Sequence, residues 1–225
     1  MRLRPTIAAL RSRRRPVLLG SLGTTTPVSA RWGYDRGTPV DRWYIERFLE
    51  RERAAIRGRV LEVKDSGYTD RFGREVTETA VLDVDPGNER ATIVADLSAA
   101  EGIPDGSFDC FVCTQTLHYV WEVRAAVAHA RRILAPGGVL LATLPVTSRV
   151  PEPPVDFWRF TPTAVHRLFE EAFAREELRI EAVGNVLAQV AFLEGMAAEE
   201  LQEHELAEVD PRFPLLVCVR AERRS

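Results

Sequence analysis

"RVLEVKDSGYTDRFGREVTETAVLDVD", residues 59–85, contains two short apolar runs, and an acidic side chain lies at or near the end of each. The first run is RVLEV (59–63), which carries Glu62, and the second is TAVLDV (79–84), which carries Asp83. Such runs of Val and Leu are typical of strands that lie in a parallel sheet with helices on both sides. The stretch therefore predicts two strands of an α/β fold.

Similar apolar runs follow along the chain, separated by segments with helical spacing. Further strands are predicted at 91–95, 108–113, 138–144, 178–183 and 214–220, and helices at 121–134, 161–173 and 186–202. Only DPGNER separates the second strand from the third, whereas a helical crossover between parallel strands needs a dozen residues or more. Either the helix there is shortened or absent and the loop runs back extended, or the third strand is rudimentary.

The residues before the first strand are predicted to form a basic arm and a helix. The first 15 residues hold six arginines and no acid. Paired arginines before an apolar stretch resemble a twin-arginine export signal, but the apolar core here is shorter than such signals use. We therefore expect a basic arm and a cytoplasmic protein. In the helix, Thr38 is predicted as N-cap, Pro39 as the first helical residue, Asp41 as the partner in a capping box, and Gly58 as the stop.

The composition of the 225 residues disfavours several classes of protein. The net charge of −3 gives no basic field for nucleic acid or an anionic membrane surface. No stretch approaches the ~20 apolar residues of a membrane span. Cys110 and Cys113 form C-x-x-C, but within a strand these side chains point to opposite faces. With Cys218 they are expected to be buried thiols rather than a zinc site or redox pair, in a reducing compartment.

Acids and amides follow several of the predicted strands. In open α/β sheets, ligands bind outside the carboxyl ends of the strands. Asp83 comes 21 residues after Glu62, a spacing at which an acid accepts hydrogen bonds from a ribose diol. Asp96 follows the third strand and is placed to accept from an adenine amine, and Thr114 and Gln115 end the fourth. The pattern predicts a nucleoside site.

Longer motifs in order along the chain identify a family. IPDGSFDCFVCTQTLHYV (103–120) and RRILAPGGVLLATLP (131–145), with VLEV, VLDVDP and ADL before them, resemble class I S-adenosylmethionine (SAM)-dependent methyltransferases over about residues 58 to 220. The resemblance implies a Rossmann-like fold: a seven-stranded, mostly parallel sheet with helices on both faces, and SAM as cofactor. It divides the chain into an N-terminal part, 1–57, that contributes to the acceptor site, and a SAM-binding domain, 58–225.

The resemblance also assigns roles at the strand ends. Glu62 would lie beneath the methionine end of SAM and Asp83 would hold the ribose. Asp85, one pleat further on, is the alternative ribose acid. Asp96 and the backbone of Leu97 would hold the adenine. Thr114 and Gln115 complete the cofactor site.

The loop after the first strand departs from the family's glycine-rich pattern. Lys64 and Ser66 occupy the first two glycine positions and Tyr68 the third, with Gly67 out of step. Glycine in such a loop lets the backbone approach the cofactor and adopt a positive φ. Lys64 could instead pair with the SAM carboxylate, a charge-assisted contact. The alternatives are a lysine that points to solvent or pairs with Asp65.

The resemblance places the methyl group near His118, the candidate general base. Related sugar O-methyltransferases pair such a histidine with an acid after the fifth strand, where this chain has Leu144 and Pro145, so Asp156 is the candidate orienting acid. A structural His118 is the alternative. The acceptor pocket is expected to draw on aromatic and charged residues outside the core pattern: Trp32, Tyr34, Arg36, Asp41, Trp43, Tyr44, Tyr119, Trp158, Arg159 and Phe160. Trp43 or Tyr44 could instead pack against the sheet.

Two stretches narrow the expected function. WGYDRGTPVDRWYIERFL (32–49) and DFWRFTP (156–162) resemble bacterial methyltransferases of glycan and natural-product pathways. We expect O-methylation of a sugar or of a glycosylated or aromatic natural product, with no metal and with a homodimer as an open question. The alternatives are C- or N-methylation, or a SAM-fold accessory protein that does not methylate.

Overall fold

A computed structural model describes residues 20–151 and 156–224. Its centre is a seven-stranded sheet in the order β3-β2-β1-β4-β5-β7-β6, in which β7 alone runs antiparallel to its neighbours. The strands are β1 Gly58–Val63, β2 Val76–Asp83, β3 Ile93–Val94, β4 Phe108–Thr114, β5 Leu134–Pro145, β6 Leu178–Val183 and β7 Leu216–Glu222. The helices are α1 Val40–Glu52, α2 Gly67–Phe72, α3 Val123–Ile133, α4 Pro162–Glu170, α5 Val186–Glu194 and α6 Glu203–Ala207. The predicted Rossmann-like fold is confirmed.

Two apolar cores lie on opposite faces of this sheet. One face packs against α3 and α4, and the other against α1, α2, α5 and α6. Successive β4 residues alternate between them: Cys113 belongs to the first core and Cys110 to the second. All three cysteines are buried and free, so the prediction of core thiols is confirmed. Burial raises the pKa of the Cys113 thiol to about 12, which keeps it protonated at neutral pH.

The connection between β2 and β3 is too short for a crossover helix, and the structure shows how the chain makes this connection. β3 has only the two residues Ile93 and Val94, which pair in parallel with Leu82 and Asp83. No helix lies between these two strands in the described chain. The missing crossover helix and the rudimentary strand, predicted as alternatives, therefore occur together.

The start and end of α1 differ from the prediction. The helix begins after Pro39, and no side chain caps it. Asp41 is buried inside the protein instead of closing a capping box. The Thr38 amide donates to Glu199, because the chain after α5 packs against this turn. At its other end α1 stops at Glu52, while Gly58 begins β1.

The long helix predicted at 186–202 is interrupted at Gly195. Gly195 has φ +70° and is the left-handed C-cap of α5. A Cβ at this position would lie 2.3 Å from the Ser29 carbonyl oxygen, so the close approach of the N-terminal segment requires glycine here. The chain resumes as a short 3-10 turn at Ala198–Glu200.

Residues 1–57 are only partly described. The predicted basic arm, with the paired arginines that resemble an export signal, falls largely in residues 1–19, outside the described residues. Val40, Ile45 and Leu49 of α1 are fully buried against the sheet, so the helix belongs to the same core as the strands. Its role in an acceptor site stays a prediction. No helix among the described residues is long and apolar enough to cross a membrane.

Candidate functional site

The candidate site lies at the edge where β1, β2 and β4 reach their carboxyl ends. Two non-glycine residues there take a left-handed backbone, Lys64 with φ +75° and Gln115 with φ +47°. Such a conformation costs about 1–3 kcal/mol and persists only where the surroundings determine it. Lys64 therefore adopts the conformation that a loop glycine would supply. Gln115 is held by its amide, which donates to the carbonyl oxygen and the hydroxyl of the buried Thr143.

Glu62 is buried at the end of β1 and is bound by its own loop. Its Oε1 accepts from the Tyr68 amide at 3.0 Å, and its Oε2 accepts from the amide and hydroxyl of Thr69 at 2.7 and 2.6 Å. Burial raises the Glu62 pKa, and these hydrogen bonds act to lower it. Glu62 thus fixes the start of α2, and its predicted place beneath the methionine end remains a prediction.

Asp83 faces the same loop across a shallow cavity of about 230 Å³. The cavity is lined by Lys64, Asp65, Asp83, Asp85, Asn88 and Arg90. The Asn88 side-chain amide bridges its two walls, donating to Asp83 Oδ2 and to the Lys64 carbonyl oxygen, both at 2.7 Å. Asn88, which no sequence pattern indicated, therefore links the loop to Asp83, the candidate ribose acid.

The two candidate ribose acids have different surroundings. Asp85 is exposed and accepts from the Gly87 amide at 2.8 Å, so it shapes its own turn. Asp83 is half-buried at the end of β2, and its carboxylate accepts from Asn88 and from the Asp85 amide. This difference favours Asp83 as the acid that faces a ligand.

Asp96 and Leu97 follow the short β3. Asp96 Oδ1 accepts from the amide and hydroxyl of Ser98, both at 2.8 Å, and so caps a 3-10 turn at Leu97–Ala99. The Leu97 side chain is buried in the core. The turn thereby holds the exposed Asp96 carboxylate at the carboxyl edge, where the prediction places the adenine.

His118 lies in a 3-10 turn after β4, at Leu117–Tyr119, and is buried. Its Nδ1 has no hydrogen-bond partner among the described residues. Burial lowers the His118 pKa to about 4; the nearby Asp156 carboxylate acts to raise it, and Arg159 and Arg42 act to lower it. The imidazole is therefore neutral at pH 7, with a ring nitrogen able to accept a proton.

Asp156, the predicted orienting acid, is close enough to act on His118 electrostatically but is paired elsewhere. Its Oδ2 lies 2.5 Å from Arg159 Nη1. Arg159 in turn donates to the carbonyl oxygens of Trp158 and Arg149, each at 2.8 Å. The structure brings the predicted pair together without the expected hydrogen bond between them.

Arg42 is the central cation of this region and was not predicted from the sequence. Its Nε donates to the Tyr34 hydroxyl at 3.0 Å and its Nη1 to the Tyr68 hydroxyl at 3.1 Å. Burial acts to lower the Arg42 pKa, but Asp41, Tyr68 and Tyr34 raise it above its ordinary value. Arg42 links the N-terminal segment, α1 and the loop after β1.

Aromatic side chains surround the His118 turn. The Trp121 ring stacks on Trp158, with centroids 5.2 Å apart, and meets Phe157 edge-on at 5.4 Å. We call these three residues the aromatic platform. Trp121, another residue the sequence analysis did not select, is 60% exposed. The amides of Phe157 and Trp158 both donate to the His118 carbonyl oxygen, which joins the platform to the turn.

The remaining predicted acceptor residues lie in several environments. Tyr44 is buried and its hydroxyl donates to the Leu206 carbonyl oxygen at 2.6 Å, which favours the packing alternative. Phe160 is likewise in the core. Arg36 pairs with Glu200, and the Arg149 guanidinium stacks over Trp32. The Trp43 ring packs edge-on against Tyr44. Tyr34 and Tyr119 remain exposed.

A larger cavity, of about 670 Å³, lies at the opposite edge of the sheet. It is lined by the starts of β1, β4 and β5, including Gly58, Asp109 and Gly138. Two of its acidic groups are paired with arginines: Glu52 contacts Arg220 at 3.4 Å, and Asp109 contacts Arg59 Nε at 3.5 Å. Because ligands of such sheets bind at the carboxyl ends, the smaller cavity beside Asp83 is the candidate site.

Residues 58–142 match the family model described as a methyltransferase domain. This region is a class I SAM-dependent methyltransferase domain. No curated protein sequence matches the chain. Among the described residues, no group of three or more His, Cys, Asp or Glu side chains is arranged to hold a metal ion.

Solved structures of methyltransferases share the fold of this domain. A SAM-dependent methyltransferase from Archaeoglobus fulgidus has a TM-score of 0.55 at 12% identity, over 80% of this chain and 94% of that one. A SAM-dependent methyltransferase from Mesorhizobium loti has a TM-score of 0.51 at 18% identity, over 73% and 90%. The [4+2]-cyclase SpnF has a TM-score of 0.54 at 16% identity, over 84% of each chain. Identities this low establish the fold alone.

The cofactor of such a methyltransferase domain is SAM, and the residues present fit it. Asp83 offers a half-buried carboxylate beside a cavity, as a ribose diol requires. Asp96 offers a second carboxylate further along the edge. At the other end, the buried His118 imidazole has a ring nitrogen without a hydrogen-bond partner among the described residues. We call these two parts the nucleoside end and the methyl end.

Proposed function

We propose that the chain is a SAM-dependent methyltransferase that methylates an oxygen atom of a small, ring-shaped acceptor, a sugar or a glycosylated or aromatic natural product. The proposal rests on the environment of His118. It is buried, neutral at pH 7 and unpaired at Nδ1, and the aromatic platform adjoins its turn. We infer that this neutral imidazole takes the proton of a bound hydroxyl.

The chemistry divides between the cofactor and the protein. SAM supplies a methyl group on a sulfonium, so the leaving group is already activated. The protein has to align the acceptor and remove its proton. The neutral His118 imidazole is available to take that proton over the whole neutral pH range. A base with a pKa of about 4 is weak, so it matches an acidic hydroxyl better than an alcohol.

This match favours an aromatic acceptor over a simple sugar. Phenolic and enolic hydroxyls are more acidic than sugar hydroxyls. The exposed Trp121 indole offers a flat apolar face, and aromatic rings stack on such faces with about 0.5–1.5 kcal/mol beyond area burial. The Arg159 guanidinium, within the same loop, offers a cation to polar substituents.

We place the protein in the cytoplasm, as expected from the sequence.

A second function is a SAM-fold protein of a biosynthetic pathway that does not methylate oxygen, including C- or N-methyltransferases. The observation that favours it is the Asp156–Arg159 ion pair, which leaves His118 without a hydrogen-bonded acid. A stabilised carbanion or an amine needs no strong base. SpnF, which shares the fold, is described as a cyclase.

The test is turnover with a panel of acceptors. The purified chain is incubated with SAM and with matched phenols, sugars and amines, and S-adenosylhomocysteine and methylated products are measured by mass spectrometry. Methyl ethers of the phenols, lost in His118→Ala, support the proposal. Methylated amines or carbon acceptors support the second function, as does SAM binding without turnover. Absence of SAM binding at millimolar concentration would end both.

A further inference from the structure

The backbone amides of the loop after β1 donate to acceptors within the loop and to Glu62 at the end of β1. The Gly67 amide donates to Asp65 Oδ1 at 2.9 Å, and the Tyr68 and Thr69 amides donate to Glu62. The Asp70 amide donates to the Ser66 carbonyl oxygen at 2.8 Å. Four successive amides at the start of α2 are therefore engaged. In a helix start that binds an anion, such amides point at the ligand.

The charge of this loop also disfavours an anion. Asp65 and Glu62 accept hydrogen bonds from its backbone, and Asp70 Oδ2 accepts from the Ser66 hydroxyl at 2.9 Å. Three carboxylates thus lie at the first turn of α2. The methionine end of SAM carries a carboxylate of its own, which these groups repel. That carboxylate needs a cation that reaches the loop from elsewhere.

Arg42 reaches the loop from the methyl end. Its Nη1 contacts the hydroxyl of Tyr68, the residue at the third glycine position. Its charge acts on both His118 and Tyr119, the residues that follow β4. Arg42 therefore lies between the β1 loop and the β4 turn. A guanidinium has five N–H donors, and the two tyrosine hydroxyls engage one on Nε and one on Nη1. Three N–H groups, one on Nη1 and two on Nη2, remain for a carboxylate.

Lys64 lies on the other side of the loop. It lines the cavity that also contains Asp83 and Asp85, and the Asn88 side chain binds its carbonyl oxygen. Lys64 thus borders the nucleoside end and its two acids. We expect a cation there to offset the charge of the two aspartates, which makes Lys64 the weaker candidate for the methionine carboxylate.

We propose that Arg42, positioned by Tyr34 and Tyr68, binds the carboxylate of the methionine part of SAM and replaces the backbone contacts of a glycine-rich loop. The inference rests on the SAM-binding function proposed above. An anionic group on the acceptor is the competing partner for Arg42, and Lys64 is the competing cation for the carboxylate. The experiment below separates these.

The experiment compares two ligands by isothermal titration calorimetry. One is SAM, and the other is decarboxylated SAM, which keeps the nucleoside, the sulfonium and the amine but lacks the carboxylate. Both are titrated into the full chain and into Arg42→Gln, Lys64→Gln and Arg47→Gln. Arg47, on the exposed side of the same helix, pairs with Glu203 at 3.1 Å and serves as the matched control. Thermal unfolding of each variant reports whether it folds.

We expect wild-type protein to bind SAM about ten- to hundredfold more tightly than decarboxylated SAM, the worth of a charge-assisted hydrogen-bonded pair. Arg42→Gln should remove this preference and Arg47→Gln should keep it. A wild-type protein without the preference overturns the inference even if Arg42→Gln does not fold. Loss of the preference in Lys64→Gln alone assigns the carboxylate to Lys64. Unchanged SAM affinity in Arg42→Gln, together with a raised KM for the acceptor in a turnover assay, assigns Arg42 to the acceptor. No binding of either ligand rejects the function itself.

Discussion

The two ends of the carboxyl edge are built in different ways. At the nucleoside end, Asp83 and Asp96 are half-buried or exposed, and short backbone turns hold their carboxylates. At the methyl end, Glu62 and His118 are buried, and burial shifts the pKa of each. We therefore expect the nucleoside end to bind its ligand at low cost in desolvation. Burial disfavours the charged forms of Glu62 and His118, and shifted pKa values of this kind cluster at functional sites.

The largest expected effect is at the methyl end, in the chemical step. His118→Ala should lower kcat with an acidic acceptor about 10²- to 10⁴-fold and leave SAM affinity unchanged, because a positioned base contributes to proton transfer alone. His204→Ala is the control, because His204 lies in α6, an acidic helix that contributes no candidate site residue. Equal loss of SAM affinity and of kcat would mean that His118 only supports the fold of the site.

The pH dependence of the wild-type protein sharpens the same point. Because the folded pKa of His118 is about 4, activity should be constant through neutral pH and fall only on acidification towards pH 4. The folded state binds fewer protons at this residue than the unfolded state between about pH 6.5 and 4, so His118 also reduces stability as the pH falls through this window. Urea unfolding at pH 7 and pH 5 should show a smaller loss in His118→Asn. An activity profile that falls near pH 6.5 would contradict the burial of this imidazole.

At the nucleoside end the expected effect is on binding. Asp83→Ala should weaken SAM binding about a hundredfold, because two hydrogen bonds from the ribose diol to a carboxylate are lost. Asp85→Ala, two residues along the chain, should change the dissociation constant less than threefold. A larger loss in Asp85→Ala than in Asp83→Ala would assign the ribose to Asp85.

Glu62 should stabilise the fold of the loop after β1. Glu62→Gln places an amide N–H₂ against backbone donors, and we expect a loss of about 2 kcal/mol in the free energy of unfolding in urea. Because burial raises its pKa, the folded state retains a proton longer, and stability from this group is lost as the pH rises through the folded pKa. Asp70→Asn, an exposed acceptor of one hydrogen bond, is the control. An unchanged Glu62→Gln stability would show that the loop holds itself without this carboxylate.

The smallest expected effect concerns the acceptor. Trp121→Leu should raise the KM for an aromatic acceptor about tenfold through lost stacking, with the KM for SAM unchanged. Phe213→Leu, an exposed aromatic residue outside the platform, should change neither value. An unchanged KM for the aromatic acceptor in Trp121→Leu would argue that the platform does not face the acceptor.

The sequence predicted the nucleoside end better than the methyl end for physical reasons. Strands and the acids at their ends follow from local apolar runs and spacing, so the sheet and the places of Asp83 and Asp96 were predictable. Arg42 and Trp121 became candidates only through tertiary contacts. The capping box at Asp41 does not form because the helix begins after Pro39 and the Thr38 amide donates to Glu199, from the chain after α5. Gly195 interrupts a helical pattern because Ser29, distant in sequence, approaches it.

The central claim is that SAM binds at the carboxyl edge and not in the larger cavity at the opposite edge. Hydrogen–deuterium exchange of the full chain, with and without saturating SAM, tests it directly. We predict slower amide exchange in peptides covering 64–70, 83–89 and 114–120. Peptides covering 51–58 and 136–139, which line the larger cavity, should be unchanged. Protection confined to these last two segments, or no protection anywhere at millimolar SAM, would contradict the account.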